Sequence, residues 1–192
     1  MKVSHVEGAI LVGGASRRMG RDKATTAFAG VPMVQRVALA LGECLERVRV
    51  VVRPGEKAPI GLPAIEDGHQ VRAPLVGLCA ALRACEASAV LLAPCDLPEL
   101  DPRVVLALLS AMPADGGPEI VAPLGPRGPE PLLAIYRPSL LQRIERQLRT
   151  NDLSLRKLLR SVDPHYLPEA ALRELDPELR SLRNVNRPED LR

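Results

Sequence analysis

The chain has 192 residues, of which 46% are hydrophobic and 26% charged, enough for one sizeable core under a polar exterior. Nothing in the composition marks a second domain, so one domain over residues 1–192 is expected. A net charge of only +3 and an aromatic content of 2% argue against the cationic, base-stacking surface of a nucleic-acid binder.

An apolar run over residues 6–12 reads as a buried strand. It turns at Gly13-Gly14 and delivers Arg17, Arg18, Arg21 and Lys23 soon afterwards. Paired glycines let backbone N–H groups approach an anion closely and the cations neutralise its charge, so this segment predicts a nucleoside triphosphate. Val31-Pro32 is expected to open a helix through Val34, Val37, Ala38 and Leu41, Pro being tolerated in a first turn. Residues 48–53 are β-branched and stop at Pro54-Gly55, a second strand and its turn. Residues 63–68 form a shorter strand with an acidic tip. From Pro74 a helical pattern runs through Leu75, Leu78, Ala81 and Leu82. Residues 89–93 are continuously apolar before Pro94, the pattern of a central parallel strand covered on both faces. Asp101-Pro102 caps a further helix through Val105, Leu108 and Leu109. Residues 120–122 and 132–136 are later strands across a Pro- and Gly-rich stretch, and helical patterns follow at 139–148 and 153–159.

Strands alternating with helices predict an α/β fold: a single-domain three-layer sandwich with a mostly parallel, Rossmann-like sheet and helices on both faces. Ligands bind such sheets at the carboxyl ends of the strands, near the point where strand order reverses. The Gly13 segment, Asp67 and Asp96 each follow a strand and are expected along one edge.

The Gly13 to Lys23 segment is neither a G-x-G-x-x-G fingerprint nor a Walker A motif; its form is G-G-x-S-R-R-M-G-x-D-K. In Ala93-Pro94-Cys95-Asp96-Leu97-Pro98, two prolines stiffen the backbone around a carboxylate suited to Mg²⁺, which binds one or two carboxylates plus substrate phosphates. Asp67 is placed to accept from a base or ribose, or is a turn carboxylate. Gly77 leaves room for a ligand, or is a helix-packing glycine. In Asn184-Val185-Asn186 the alternation puts both asparagines on one face, ahead of a possible terminal helix at Pro188. Cys44, Cys79, Cys85 and Cys95 form no C-x-x-C pair and read as reduced, mostly buried small apolar residues. His5, His69 and His165 lack metal-ligand spacing and read as surface or turn residues.

In their order and spacing these clusters resemble the MobA-like nucleotidyltransferases, in particular the branch that transfers a guanylyl group to molybdenum cofactor. The matching pieces are Leu11-Val12-Gly13-Gly14 through Lys23, Ile65-Glu66-Asp67, Pro74-Leu75-Val76-Gly77, Pro94-Cys95-Asp96-Leu97-Pro98, Glu130-Pro131-Leu132 and residues 184–191. The resemblance implies a nucleotide-diphospho-sugar transferase-like fold and transfer of GMP from GTP to the terminal phosphate of molybdopterin or molybdenum cofactor, releasing pyrophosphate. It implies nucleotide contacts from Leu11, Val12, Gly13, Gly14, Arg17, Lys23, Asp67, Gly77 and Asp96, with Mg²⁺ as cofactor on Asp96. Lys23, Arg17 and Asp96 would be the catalytic residues, and Asn184, Asn186 and Pro131 would hold the acceptor. Gly13-Gly14 and Asn-Val-Asn point to GTP, whereas cytidylyl relatives tend toward L-A-A-G and D-x-D. Three positions depart from the family pattern: Arg53 stands where a small polar residue is common, Val12 replaces Ala, and Glu130 stands where His is common. Cofactor-synthesis proteins and molybdoenzyme chaperones are the implied protein partners.

No stretch approaches the ~20 apolar residues that span a bilayer, and residues 1–5 carry no signal-peptide pattern, so a cytoplasmic protein without membrane association is expected. Three rivals stay open: a cytidylyl enzyme, a sugar-phosphate nucleotidyltransferase, and a non-catalytic carrier delivering cofactor to molybdoenzymes.

Overall fold

In the computed structural model, residues 2–12, 25–68 and 71–186 are described. The elements in chain order are β1 (Val6–Leu11), β2 (Ala27–Phe28), β3 (Val31–Pro32), α1 (Met33–Cys44), β4 (Val48–Val52), β5 (Ala64–Glu66), α2 (Pro74–Arg83) and β6 (Ala89–Pro94). There follow α3 (Pro102–Ser110), β7 (Ile120–Gly125), β8 (Gly128–Pro129), β9 (Ala134–Tyr136), α4 (Leu141–Arg149), α5 (Leu155–Arg160), β10 (His165–Leu167) and α6 (Glu169–Leu175).

The main sheet runs β10-β7-β9-β6-β1-β4-β5, with β8 paired to β7. β1 is parallel to both β4 and β6, and β4 to β5. β9 is antiparallel to both β6 and β7. Its direction follows from the link before it: residues 126–133 hold a hairpin and a turn, too short for the crossover that a parallel strand needs.

Alternation along the strands divides the core into two layers. Val6, Ile10, Val50, Val52, Leu91 and Val121 face α1 and α3, through Val37, Leu41, Val105 and Leu108. Ala9, Val51, Val90, Leu92, Ile120 and Tyr136 face α2, α4 and α5, through Leu75, Leu78, Ile144 and Leu158. β6 is buried at every position, as its unbroken apolar run predicts. The three-layer, mostly parallel sandwich is the fold that the alternation of elements implied. No helix among the described residues is long and apolar enough to cross a membrane.

Several boundaries differ from expectation for physical reasons. Val31-Pro32 belongs to a hairpin with Ala27-Phe28, not to the helix, which begins at Met33 with Pro32 at its N-cap. Ala29 at φ 49° and Gly30 at φ 81° form the two-residue turn, both in the left-handed region that such hairpins require. Leu132 and Leu133 lie in a turn, leaving only Ala134–Tyr136 as strand. β10 and α6 are too short to have left a periodic signal. All four cysteines are free, and burial pushes the thiols of Cys44, Cys79 and Cys85 up, consistent with inert packing.

At the amino end of the sheet Glu7 is buried in β1. Arg49 on the neighbouring strand pairs with it and donates to Ala84 O at 2.7 Å, while Glu86 N–H donates to Glu7 Oε1 at 3.2 Å. Arg47, largely exposed, reaches Glu7 at 3.5 Å. Removing one partner of a buried ion pair leaves a desolvated charge, whereas an exposed pair contributes little. Because Glu7 keeps Glu86 N–H and Arg47 as partners, Arg49→Ala is expected to lower unfolding stability in urea by about 2 kcal/mol, and Arg47→Ala by less than about 1 kcal/mol. Equal losses in the two variants would contradict this division.

Candidate active site

The carboxyl ends of four strands meet at one level. Cys95 N–H donates to Leu11 O at 3.2 Å, Val12 N–H to Val51 O at 3.3 Å, and Asp67 N–H to Val52 O at 2.9 Å. After β1 the chain builds β4 and β5 on one side, then crosses to β6 on the other. At this reversal, outside the strand ends at Leu11-Val12 and the Cys95-Asp96 turn, lies the cleft where an open α/β sheet is expected to accept ligands. Gly13, Gly14, Arg17 and Lys23 lie outside the described residues, as do His69 and residues 187–192.

Asp96 is half-buried immediately after β6, and its Oδ1 is shielded from solvent. Its backbone oxygen accepts from Val185 N–H at 3.0 Å, which brings the Asn184-Val185-Asn186 segment onto the metal-site candidate. Val185 is buried while Asn184 and Asn186 are exposed, the alternation that the sequence predicted. The tail reaches this place through a fixed path. Asp176, nearly buried, accepts from Ser181 N–H at 2.7 Å, and Ser181 Oγ accepts from Asp101 N–H at 3.0 Å, at the N-cap of α3.

Asp67 is half-buried at the end of edge strand β5. With β4 between it and β1, it flanks the cleft at roughly two strand spacings, about 10 Å. Gly77 is buried in α2, and a Cβ there would lie 2.5 Å from Leu11 Cδ2. Leu11's side chain thus fills the space beside Gly77. Arg53, directly after β4, is half-buried with its Nε shielded from solvent.

Beyond Asp96 a groove of about 690 Å³ is lined by Phe28, Arg127, Arg180, Arg183, Asn184 and Val185, together with Glu99 and Leu182. Arg180 lies 3.8 Å from Glu99 and 3.0 Å from Glu178, so part of its charge is already matched. Arg127 sits at the tip of the β7–β8 hairpin. Next to that hairpin, burial pushes the Glu130 carboxyl up, against the opposing pull of Arg127 and Arg156. Pro131 is buried, its carbonyl accepting from Tyr136 Oη at 2.5 Å, so at this loop it is Glu130 that reaches partial exposure.

Phe28 and Arg36 were not singled out in the sequence. Arg36 Nε donates to Pro98 O at 2.6 Å, and its guanidinium lies 5.3 Å from the centroid of the Phe28 ring. One signal was available: Phe28 is the single phenylalanine in a chain nearly devoid of aromatics.

Residues 8–168 match the MobA-like NTP transferase domain. The chain belongs to this family. A probable molybdenum cofactor guanylyltransferase of Methanothermobacter thermautotrophicus is 32% identical over 96% of each chain. Another, from Deinococcus radiodurans, is 34% identical over 95% of this chain and 90% of its own. The crystal structure of molybdopterin-guanine dinucleotide biosynthesis protein A from Archaeoglobus fulgidus superposes with a TM-score of 0.81 at 29% identity, covering 96% of this chain and 94% of that one.

Nucleotidyltransferases such as the MobA-like NTP transferases generally use a divalent metal on the nucleotide phosphates. Among the described residues no group of three or more His, Cys, Asp or Glu gathers for a cation. One rigidly placed carboxylate at the cleft is instead the donor set that suits Mg²⁺, an ion that keeps waters and takes its remaining oxygens from substrate phosphates. The described residues fit such an ion and among themselves form no all-protein cage.

Two outcomes follow from this geometry. Gly77→Ala adds a methyl against the tip of the Leu11 side chain, which must shift to admit it, a displacement costing about 1 kcal/mol, while gaining about 0.5–1 kcal/mol in helix propensity. In a Leu11→Ala background no shift is needed, so a double-mutant cycle by urea unfolding is expected to show Gly77→Ala more favourable there by about 0.5–1 kcal/mol. Additive effects would mean that the two side chains do not compete. For Glu130, a folded-state pKa above its ordinary value of 4.5 means that the folded protein binds the proton more tightly than the unfolded chain. Stability from this group is full below that value and is lost as pH rises through the raised one. Glu130→Gln should accordingly raise the melting temperature at pH 7 to 8, the gain shrinking as pH falls toward about 4; a gain that grows on acidification would reverse the assignment.

Proposed function

We propose that this protein transfers GMP from GTP to the terminal phosphate of molybdopterin, or of its molybdenum-loaded form, releasing pyrophosphate and forming the guanine dinucleotide cofactor. Family membership supports nucleotidyl transfer, and relatives bearing the guanylyltransferase name support the base and the acceptor. The observation that carries the reading is the bond from Val185 N–H to Asp96 O, which joins the asparagine segment to the carboxylate at the strand-order reversal.

On this reading GTP occupies the cleft above Leu11, its base toward Asp67 and its phosphates toward the Gly13-Gly14 segment. Mg²⁺, when bound by Asp96 and the phosphates, neutralises charge on the triphosphate. The acceptor lies in the groove lined by Phe28, Arg127, Arg183 and Asn184, where arginines complement a phosphate and an aromatic face complements a flat heterocycle. A terminal phosphate oxygen of the acceptor attacks the α-phosphorus in line. A new P–O bond forms while the bond to the bridging oxygen of pyrophosphate breaks. Lys23 and Arg17 stabilise charge on the transferring phosphoryl oxygens, and Asn184 and Asn186 hold the acceptor. No protein nucleophile is needed, because positioning and electrostatics supply the catalysis. The protein works in the cytoplasm, in contact with cofactor-synthesis proteins and molybdoenzyme chaperones.

The test incubates the protein with Mg²⁺, molybdopterin and each of GTP, CTP, ATP and UTP, and measures pyrophosphate. Release with GTP alone is expected. Preference for CTP would assign the cytidylyl reaction, and no release with any nucleotide would assign a carrier. Asp96→Ala and Lys23→Ala should each lower turnover by about 10²-fold or more without loss of the folded circular-dichroism spectrum.

A further inference from the structure

Arg36 stands at the end of the first turn of α1, a helix without an acidic residue in that turn and without a side-chain cap. A cation at the positive end of a helix is unfavourable, so the helix itself gains nothing from this guanidinium. Its contacts point elsewhere. Nε donates to Pro98 O at 2.6 Å, two residues after Asp96, and the guanidinium faces the Phe28 ring at 5.3 Å, on the hairpin that follows segment 13–24 in the chain. Both contacts are half-buried, where a charged hydrogen bond and a cation–π contact are worth more than at an open surface. Asp96 in turn holds the asparagine tail through Val185.

We infer that Arg36 is a positioning residue: it sets the spacing between the Phe28 hairpin and the Asp96 turn, and through Asp96 the seat of Asn184 and Asn186, without touching substrate. The inference rests on the proposed transfer reaction only for its effect on turnover; its effect on the backbone is independent of that reading. A planar guanidinium suits the role because Nε makes the hydrogen bond while the flat face meets the ring, a combination that an ammonium cannot reproduce in full.

The experiment compares wild type, Arg36→Gln, Arg36→Lys and Phe28→Leu. By hydrogen exchange on the ligand-free protein, Arg36→Gln should speed exchange at the amides of Cys95 and Val185 by about fivefold or more, leaving β4 amides unchanged. Arg36→Lys should restore part of the protection, and Phe28→Leu should lose less than Arg36→Gln. In the pyrophosphate assay, kcat should fall about tenfold or more in Arg36→Gln while KM for GTP moves less than about threefold. The half-saturating Mg²⁺ concentration should rise. Wild-type exchange at Val185 in Arg36→Gln overturns the inference whatever the activity. Loss of kcat with no partial rescue by Arg36→Lys would assign Arg36 to the substrate instead. If Arg36→Gln does not fold, Phe28→Leu with wild-type exchange and kcat overturns the inference equally. Absence of turnover in the wild type would refute the proposed reaction, and the exchange measurement would still decide the role of Arg36.

Discussion

Everything at the cleft depends on the register between β1 and β6. These two buried neighbours pair in parallel from Val6 opposite Ala89 to Leu11 opposite Pro94. Because they end together, the residues after each leave the sheet at the same height, and the reversal of strand order between them sends their connections apart. A slip of β6 by one residue would turn Leu91 out of the α1 and α3 layer and would also shift Asp96 relative to Val12. Burial on both faces forbids such a slip, so the hydrophobic core and the placement of the carboxylate are one constraint.

The two ends of the strands are used differently. At the amino end, charge is matched within the protein: Glu7 is held by Arg49, and Arg47 and Glu86 complete the group. In the groove adjoining the carboxyl end, Arg127 is exposed, while Arg183 donates to Glu178 O at 2.9 Å and lies 3.8 Å from its carboxylate, so its charge is only partly matched. Self-matched charge stabilises the fold, while charge left at a groove stabilises what enters it.

Much of this was legible because it depends on local pattern. The unbroken apolar run of β6 predicted a central strand, and the Asp101-Pro102 cap fixed the start of α3, where Asp101 accepts from Arg103 N–H at 2.8 Å. The alternation in Asn184-Val185-Asn186 placed the two asparagines on one face, and the structure exposes both and buries Val185. What stayed hidden was non-local. No periodicity reveals that β9 inserts between β6 and β7, since three residues carry too little pattern. The meeting of Arg36 with Phe28 and Pro98 depends on a tight hairpin placing a ring under a helix that the sequence suggested would begin earlier. Gly77 shows the limit from the other side: the sequence leaves both ligand room and helix packing open, and only the fold shows that the Leu11 side chain lies beside it.

The antiparallel β9 has a consequence for how the molecule comes together. Between β6 and β7 its three residues supply the sheet's continuity. The half made of β1, β4, β5 and β6 is built from contiguous parallel crossover units, whereas β7 is joined to that half only through β9. The carboxylate after β6 stands in the crossover half, yet the bond on its backbone oxygen comes from residue 185. The site thus joins a strand end from the first half of the chain to a segment near its end, and because Val185 is buried there, seating that segment closes part of the core and completes the site in one step.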